Sequence, residues 1–201
     1  MLASDLPPGE KWRKFELKAL GLRDFARVRG DRPLDPFALA SFADLIVLRF
    51  DQINGLSEAA RAHLLGPAVE KWSGGACSLP DGKKLVILNP THGRTRTNAT
   101  LMEEICHVFL GHTPNRLSVV TKDDRGKVMS RDYRKADEDE AYGVGAAGLV
   151  PYKSLKKFVL RKWTSSKIAQ HFHVSRELVE YRLKVTKLWN DYKSYRPNAG
   201  S

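Results

Sequence analysis

The sequence predicts an α+β fold: a small β-sheet, a pair of helices bearing acids and a histidine, and a basic helical C-terminal segment. Three stretches carry this expectation. "KKLVILNP", residues 83–90, is a short apolar run ended by Asn89-Pro90, as a buried strand is. "TLMEEICHVFLGH", residues 100–112, has helical composition, and Gly111 suits its end. "TSSKIAQHFHVSRELVEYRLKVTKLW", residues 164–189, has apolar positions 168, 169, 172, 174, 178, 179, 183 and 185. That is the spacing of two short helices joined by a tight turn.

The other elements follow in order. Residues 9–20, "GEKWRKFELKAL", read as an amphipathic helix with Gly21 as its stop. In "RPLDPFALASFADLIVLRF", Asp35 is placed to cap a helix with Pro36 at its first position, and "LIVLRF" is strand-like. Ser57 is the N-cap of a helix in "GLSEAARAHLL" that Gly66-Pro67 ends. "WSGGACSLPDG" reads as turns and "THGRTRTN" as a basic loop, so the next helix is expected from about Thr100 to Leu110. Residues 113–137 are loop-rich, with a hairpin expected around Asp124-Arg125-Gly126. A helix from about Ala136 to Leu149 precedes Pro151; Gly143, Gly145 and Gly148 weaken it but suit close approach of another element. Ser175 caps the second helix of the tail. The organisation expected is a domain over 1–151, a basic helical tail over 152–196 and a disordered end over 197–201.

Composition narrows the function classes. With 201 residues, 42% hydrophobic and 28% charged, the chain can bury a core without staples. No apolar run approaches the roughly 18–20 residues of a membrane span, and the N-terminus has no secretory pattern. Two distant cysteines, Cys77 and Cys106, suggest reduced thiols and a cytoplasmic setting, and with no second pair a two-cysteine zinc clip is excluded. Net charge is +11. From Tyr152 onward twelve Lys and Arg face three acids, so most of the surplus lies in the tail. Such a segment attracts polyanions, or is simply a solvated basic face.

The frame Glu103-Glu104-Ile105-Cys106-His107 differs by one letter from His-Glu-x-x-His. Residues i and i+4 of a helix lie about 40° apart, so Glu103 and His107 share a face and can grip one cation. Glu104 sits beside them, placed to take a proton from a water held there. A simpler reading competes: Thr100-Leu101-Met102-Glu103 has the spacing of a capping box. His112 is an alternative ligand or a partner of the helix C-terminus. Cys106 reads as a packed thiol, and His92 as a loop histidine. A three-ligand site needs another group. Asp137, Glu138, Asp139 and Glu140 offer one, and spacing alone does not choose among them; acids there also complement a helix dipole.

A strand ending in Asn, an Arg/Thr loop, "TLMEEICHVFLGH", "EDEAYGVGAAGLVP" and the two-helix tail together resemble the ImmA/IrrE family of zinc metallopeptidases, over about residues 30–185. The resemblance implies zincin-like active-site helices, with Glu104 as general base. It places Glu103 where the family has the first ligand His, His107 as second ligand and Glu140, before Ala141 and ten or so residues ahead of Pro151, as third. Two carboxylates and one imidazole make a harder site than usual for Zn, so Mn or Fe can compete. The implied activity is that of a cytoplasmic endopeptidase cutting a regulatory protein, a helix-turn-helix repressor, to relieve repression in a phage, mobile-element or stress circuit. The alternative is a non-catalytic regulator of the same fold that binds a repressor partner or, through the basic tail, nucleic acid.

Overall fold

The computed structural model describes residues 5–54, 57–79, 81–112 and 134–195. The hairpin expected at 124–126 and the end at 197–201 lie outside them. The architecture is α+β, as expected, with a three-stranded sheet of order β1-β3-β2. The elements are α1 (Glu10–Phe25), α2 (Pro36–Phe42), β1 (Ile46–Arg49), α3 (Glu58–Leu65), β2 (Gly74–Ser78), β3 (Lys84–Leu88), α4 (Arg94–Phe109) and α5 (Lys135–Leu149). The tail adds α6 (Tyr152–Leu160), α7 (Ser165–Phe172), α8 (Arg176–Val185) and α9 (Trp189–Ser194). Among the described residues no helix is long and apolar enough to cross a membrane.

Local chemistry sets several boundaries where expected. The Asp35 side chain accepts from Phe37 N at 2.9 Å, and Ser57 Oγ accepts from Ala60 N at 3.1 Å. Ser175 Oγ accepts from Leu178 N at 3.2 Å, starting α8 after a turn in which His173 adopts φ 57°. Each cap satisfies an N–H that the first helical turn leaves without a partner.

Three elements depart from the sequence expectation. "GGACS" is a strand: β2 runs antiparallel to β3, from Gly74 opposite Leu88 to Ser78 opposite Lys84. It holds through pairing and not through propensity. A Cβ on Gly74 would meet Thr100 Cγ2 at 2.7 Å, so the glycine lets α4 settle on the sheet. Gly21 does not stop α1, which continues to Phe25 because Phe15, Ala19 and Leu22 keep one face buried while Gly21 faces outward. Finally, α4 begins at Arg94, taking in most of the expected basic loop. Asn98 is buried in its second turn and donates to His173 O at 3.2 Å, tying that turn to the tail.

β1 pairs parallel with β3, Ile46 opposite Leu85 through Arg49 opposite Leu88. Val86 and Leu88 of β3 meet Leu101, Met102 and Ile105 of α4 in a core that continues through Val144 and Ala147 of α5 to Leu155, Phe158, Ile168 and Leu183 of the tail. The tail therefore shares this core. At its centre the Arg182 guanidinium donates to Val150 O at 3.0 Å and pairs with Glu16.

A candidate metal centre between two packed helices

The close contact of α4 with α5 rests on missing side chains. A Cβ on Gly145 would lie 3.5 Å from Met102 Cγ and 3.6 Å from Cys106 Sγ, and one on Gly148 would meet Met102 Cε at 2.9 Å. Residues 138, 141, 145 and 148 recur at helical spacing, so they form the face of α5 turned toward α4. Glu138 lies at the open end of that face.

There it meets Glu103 and His107, and ligand atoms of all three lie within 4.8 Å of one another. His107 Nε2 is 3.8 Å from Glu138 Oε2, and the imidazole is buried. Burial, with the charges of Glu138 and Glu104, pushes the Glu103 carboxyl up to about 7. A carboxyl raised this far marks a half-buried concentration of negative charge. A divalent cation would compensate it, and two carboxylates with one imidazole are donors that Zn, Mn or Fe accept. The residues present therefore fit a metal.

The competing capping box does not form. α4 starts at Gly93, the N-cap, and Thr100 is buried inside the helix. Glu103 is a mid-helix side chain turned toward α5. Glu104, the expected general base, is buried at 8% exposure on the same helix, close enough for its charge to raise the Glu103 carboxyl.

Glu140, expected as third ligand by resemblance, occupies a different position from Glu138. Two residues apart on a helix means about 200° of rotation. Glu140 accordingly lies on the side of α5 that faces α1, where a Cβ on Gly143 would press on Phe15 Cδ2 at 2.5 Å. Its carboxylate pairs with Lys18 of α1 and contacts His112 Nε2 at 3.2 Å. Burial alone would raise Glu140, but hydrogen bonds from Lys18 and His112 outweigh it and hold the carboxyl below its ordinary value. His112 is not across the helix from His107: Gly111, at φ 69°, turns the chain back, and His112 Nδ1 reaches His107 Nδ1 at 3.1 Å.

Of the residues singled out from sequence, Glu103 and His107 come together in the cluster, with Glu104 beside them. Glu140 and His112 stand one contact further out. Glu138 was among four acids left open, and the glycine spacing that shares its face was the signal that selects it. Cys106 is a fully buried thiol, pushed up by burial and by the charges of Glu103 and Glu140, which suits an inert packed group. His92 precedes α4, at the end of the helix remote from Glu103; burial and then Arg96 lower its imidazole.

Comparisons with known proteins bear on the family and the fold. The model of the Peptidase_M78 family, described as the IrrE N-terminal-like domain, matches residues 58–184. No curated protein gives a significant sequence match. Among solved structures, a Mycobacterium tuberculosis transcriptional regulator is similar in fold, with a TM-score of 0.53 at 15% identity. The alignment covers 85% of this chain and 47% of the regulator, so the chain spans less than half the regulator's length. The matched segment carries Glu103, Glu104, His107, Glu138 and Glu140 together, and on that match the chain belongs to the Peptidase_M78 family of IrrE N-terminal-like domains.

Proposed function

We propose that the chain is a metal-dependent endopeptidase that cuts a regulatory protein, a helix-turn-helix repressor being the class of substrate the family resemblance suggests. The observation that carries the reading is the convergence of Glu103, His107 and Glu138 within 4.8 Å, on two helices of a Peptidase_M78 domain. Glu103 and Glu138 would bind a cation through carboxylate oxygens and His107 through Nε2. Such a cation, Zn or in its place Mn or Fe, supplies Lewis-acid polarisation of a peptide carbonyl. Glu104 would accept the proton of the attacking water and return it to the leaving amine. Its burial keeps that carboxylate away from bulk solvent, which supports the base role. The transcriptional regulator of similar fold is consistent with a regulatory circuit.

A second reading is a regulator that binds its partner without cutting it. One observation favours it: Glu103 stands where an imidazole is usual, adding a negative charge beside Glu104 and Glu138. One experiment separates the two. The chain, purified without chelator, is expected to hold about one metal, lost in His107→Ala and Glu138→Ala. Glu104→Gln should keep the metal and lose cleavage of a helix-turn-helix repressor. A wild-type chain that takes up neither Zn nor Mn removes the peptidase reading and leaves the regulator.

A further inference from the structure

Two groups of lysines differ in what holds them. Lys11, Lys14, Lys18, Lys83, Lys153 and Lys157 each pair with a carboxylate. Lys162, Lys167, Lys184 and Lys193 pair with no carboxylate among the described residues and lie over aromatic rings instead. Lys167 Nζ is 4.4 Å from the centre of the Trp163 ring, and Lys162 Nζ is 5.7 Å from that of Tyr195. Lys184 and Lys193 share Trp189, at 5.2 and 5.6 Å. These rings are gathered around α9. Tyr192 of that helix stacks on Trp189, and its hydroxyl accepts from Ser165 N at 2.9 Å, which brings in the turn that carries Trp163. We propose that this face binds single-stranded nucleic acid, with phosphates on the lysines and bases on Trp163, Trp189 and Tyr195. Such binding is independent of the metal site proposed above.

Each part of the face has a counterpart in an unpaired strand. Ammoniums without carboxylate partners gain from a polyanion, because phosphate contact releases counterions and breaks no ion pair. An ammonium over a ring is held weakly at an exposed site, and the lysine stem is flexible. A base therefore takes the ring face while the ammonium swings to the phosphate beside it. Every base has a face to stack, so the strand is bound with little sequence preference. A duplex keeps its bases stacked on one another, which limits its contacts here to phosphate. Trp163 lies flat on Phe158, at 4.3 Å between centres and 1° between planes, and Trp189 lies on Tyr192 at 27°. Rings backed in this way present a fixed face for stacking, whereas rings that enter lipid project from the fold. Tyr195 is the most open of the three, at 40% exposure.

The test titrates the full chain with a labelled oligothymidylate of about 12 nucleotides and with a DNA duplex of the same length, following anisotropy and tryptophan emission. The single strand should bind several-fold tighter than the duplex and quench tryptophan emission by stacking. Trp189→Ala and Tyr195→Ala should each lower single-strand affinity about 10-fold and leave duplex binding unchanged. Trp189→Phe, which keeps a ring, should retain most of the affinity. Because the Tyr195 ring is exposed, its variant guards against a folding defect at Trp189. Lys162→Gln, Lys167→Gln, Lys184→Gln and Lys193→Gln combined should lower the slope of log affinity against log salt by about 2–3. Equal affinity for strand and duplex overturns the inference, as does single-strand affinity unchanged in both ring variants. Inorganic polyphosphate that displaces the strand at equal phosphate concentration would reveal charge alone and also overturn it. So would binding to vesicles of phosphatidylserine and phosphatidylcholine with none to the oligonucleotide.

Discussion

Arg182 of α8 and Glu16 of α1 form an ion pair whose side chains are 0% and 1% exposed. The other Glu16 oxygen accepts from Tyr152 N at 2.6 Å, so one carboxylate joins α1, the start of α6 and α8. Removing one partner leaves a buried charge without its counter-ion. Glu16→Ala is expected to destabilise the chain by about 3–5 kcal/mol in urea unfolding. Glu16→Met with Arg182→Met should cost far less than either single Ala variant. Equal losses in the double variant and the singles would show that the pair is not the source.

Two glycines give opposite expectations. Gly143→Ala places a Cβ 2.5 Å from Phe15 Cδ2, between α5 and α1. The ring has to shift, at a cost of about 1–3 kcal/mol. A Cβ at Gly21 has nothing within 4 Å, and the residue is helical and exposed. Gly21→Ala should therefore stabilise by about 0.5–1 kcal/mol. Thermal melts of both variants compare the two signs.

The Glu103 carboxyl, near 7 in the metal-free chain, makes metal uptake pH-dependent. Binding needs the carboxylate, so affinity should rise as pH passes from about 6 to 8, and uptake below 7 should release a proton. Calorimetry in buffers of different ionisation enthalpy measures that release; Glu103→Gln should abolish this component. The stability sign is the reverse of a salt-bridged acid. The folded value is raised above the ordinary 4.5, so the folded chain binds the proton more tightly than the unfolded one. The metal-free chain should lose stability as pH rises from about 4.5 through 7, and metal should restore it.

α8 exposes Arg176, Glu177 and Lys184, and Lys187 is exposed just after it, while Glu180 bonds Ser165 and Tyr181 packs on Trp12 and Tyr142. Glu180 and Tyr181, two of the positions that would read base edges from such a helix, are thus engaged within the fold. Duplex DNA should bind weakly, without sequence preference, and release as salt is raised. Lys184→Gln with Lys187→Gln should lower the salt slope by one to two charges in fluorescence titrations. Tight binding to one sequence would overturn this.

Much of the fold was legible because its signals are local. Asp35, Ser57 and Ser175 cap helices within three residues of themselves, and the apolar runs of β1 and β3 mark strands without reference to partners. β2 carries no such signal, since Gly74, Gly75 and Ala76 become a strand only when β3 lies beside them. The start of α4 was hidden for the same reason: Thr95, Thr97 and Asn98 are weak helix formers, and the contact of Asn98 with the tail is not local in sequence. At the site, Glu103 and His107 were legible from one helical turn. Choosing Glu138 over Glu140 needed the rotation of α5 against α4, which is a property of the pair of helices.

The family match begins at residue 58, yet α1 supplies both Glu16 and Lys18. Glu16 of α1 therefore waits for its counter-ion, because Arg182 is made more than 160 residues after it. A fragment cut to the borders of the family match would keep every proposed ligand. It would also leave Arg182 without its counter-ion and Glu140 without its lysine. α1 works as a clasp that closes only once Arg182 has been made, so a nascent or truncated chain carries the proposed ligands before it carries the Glu16–Arg182 pair.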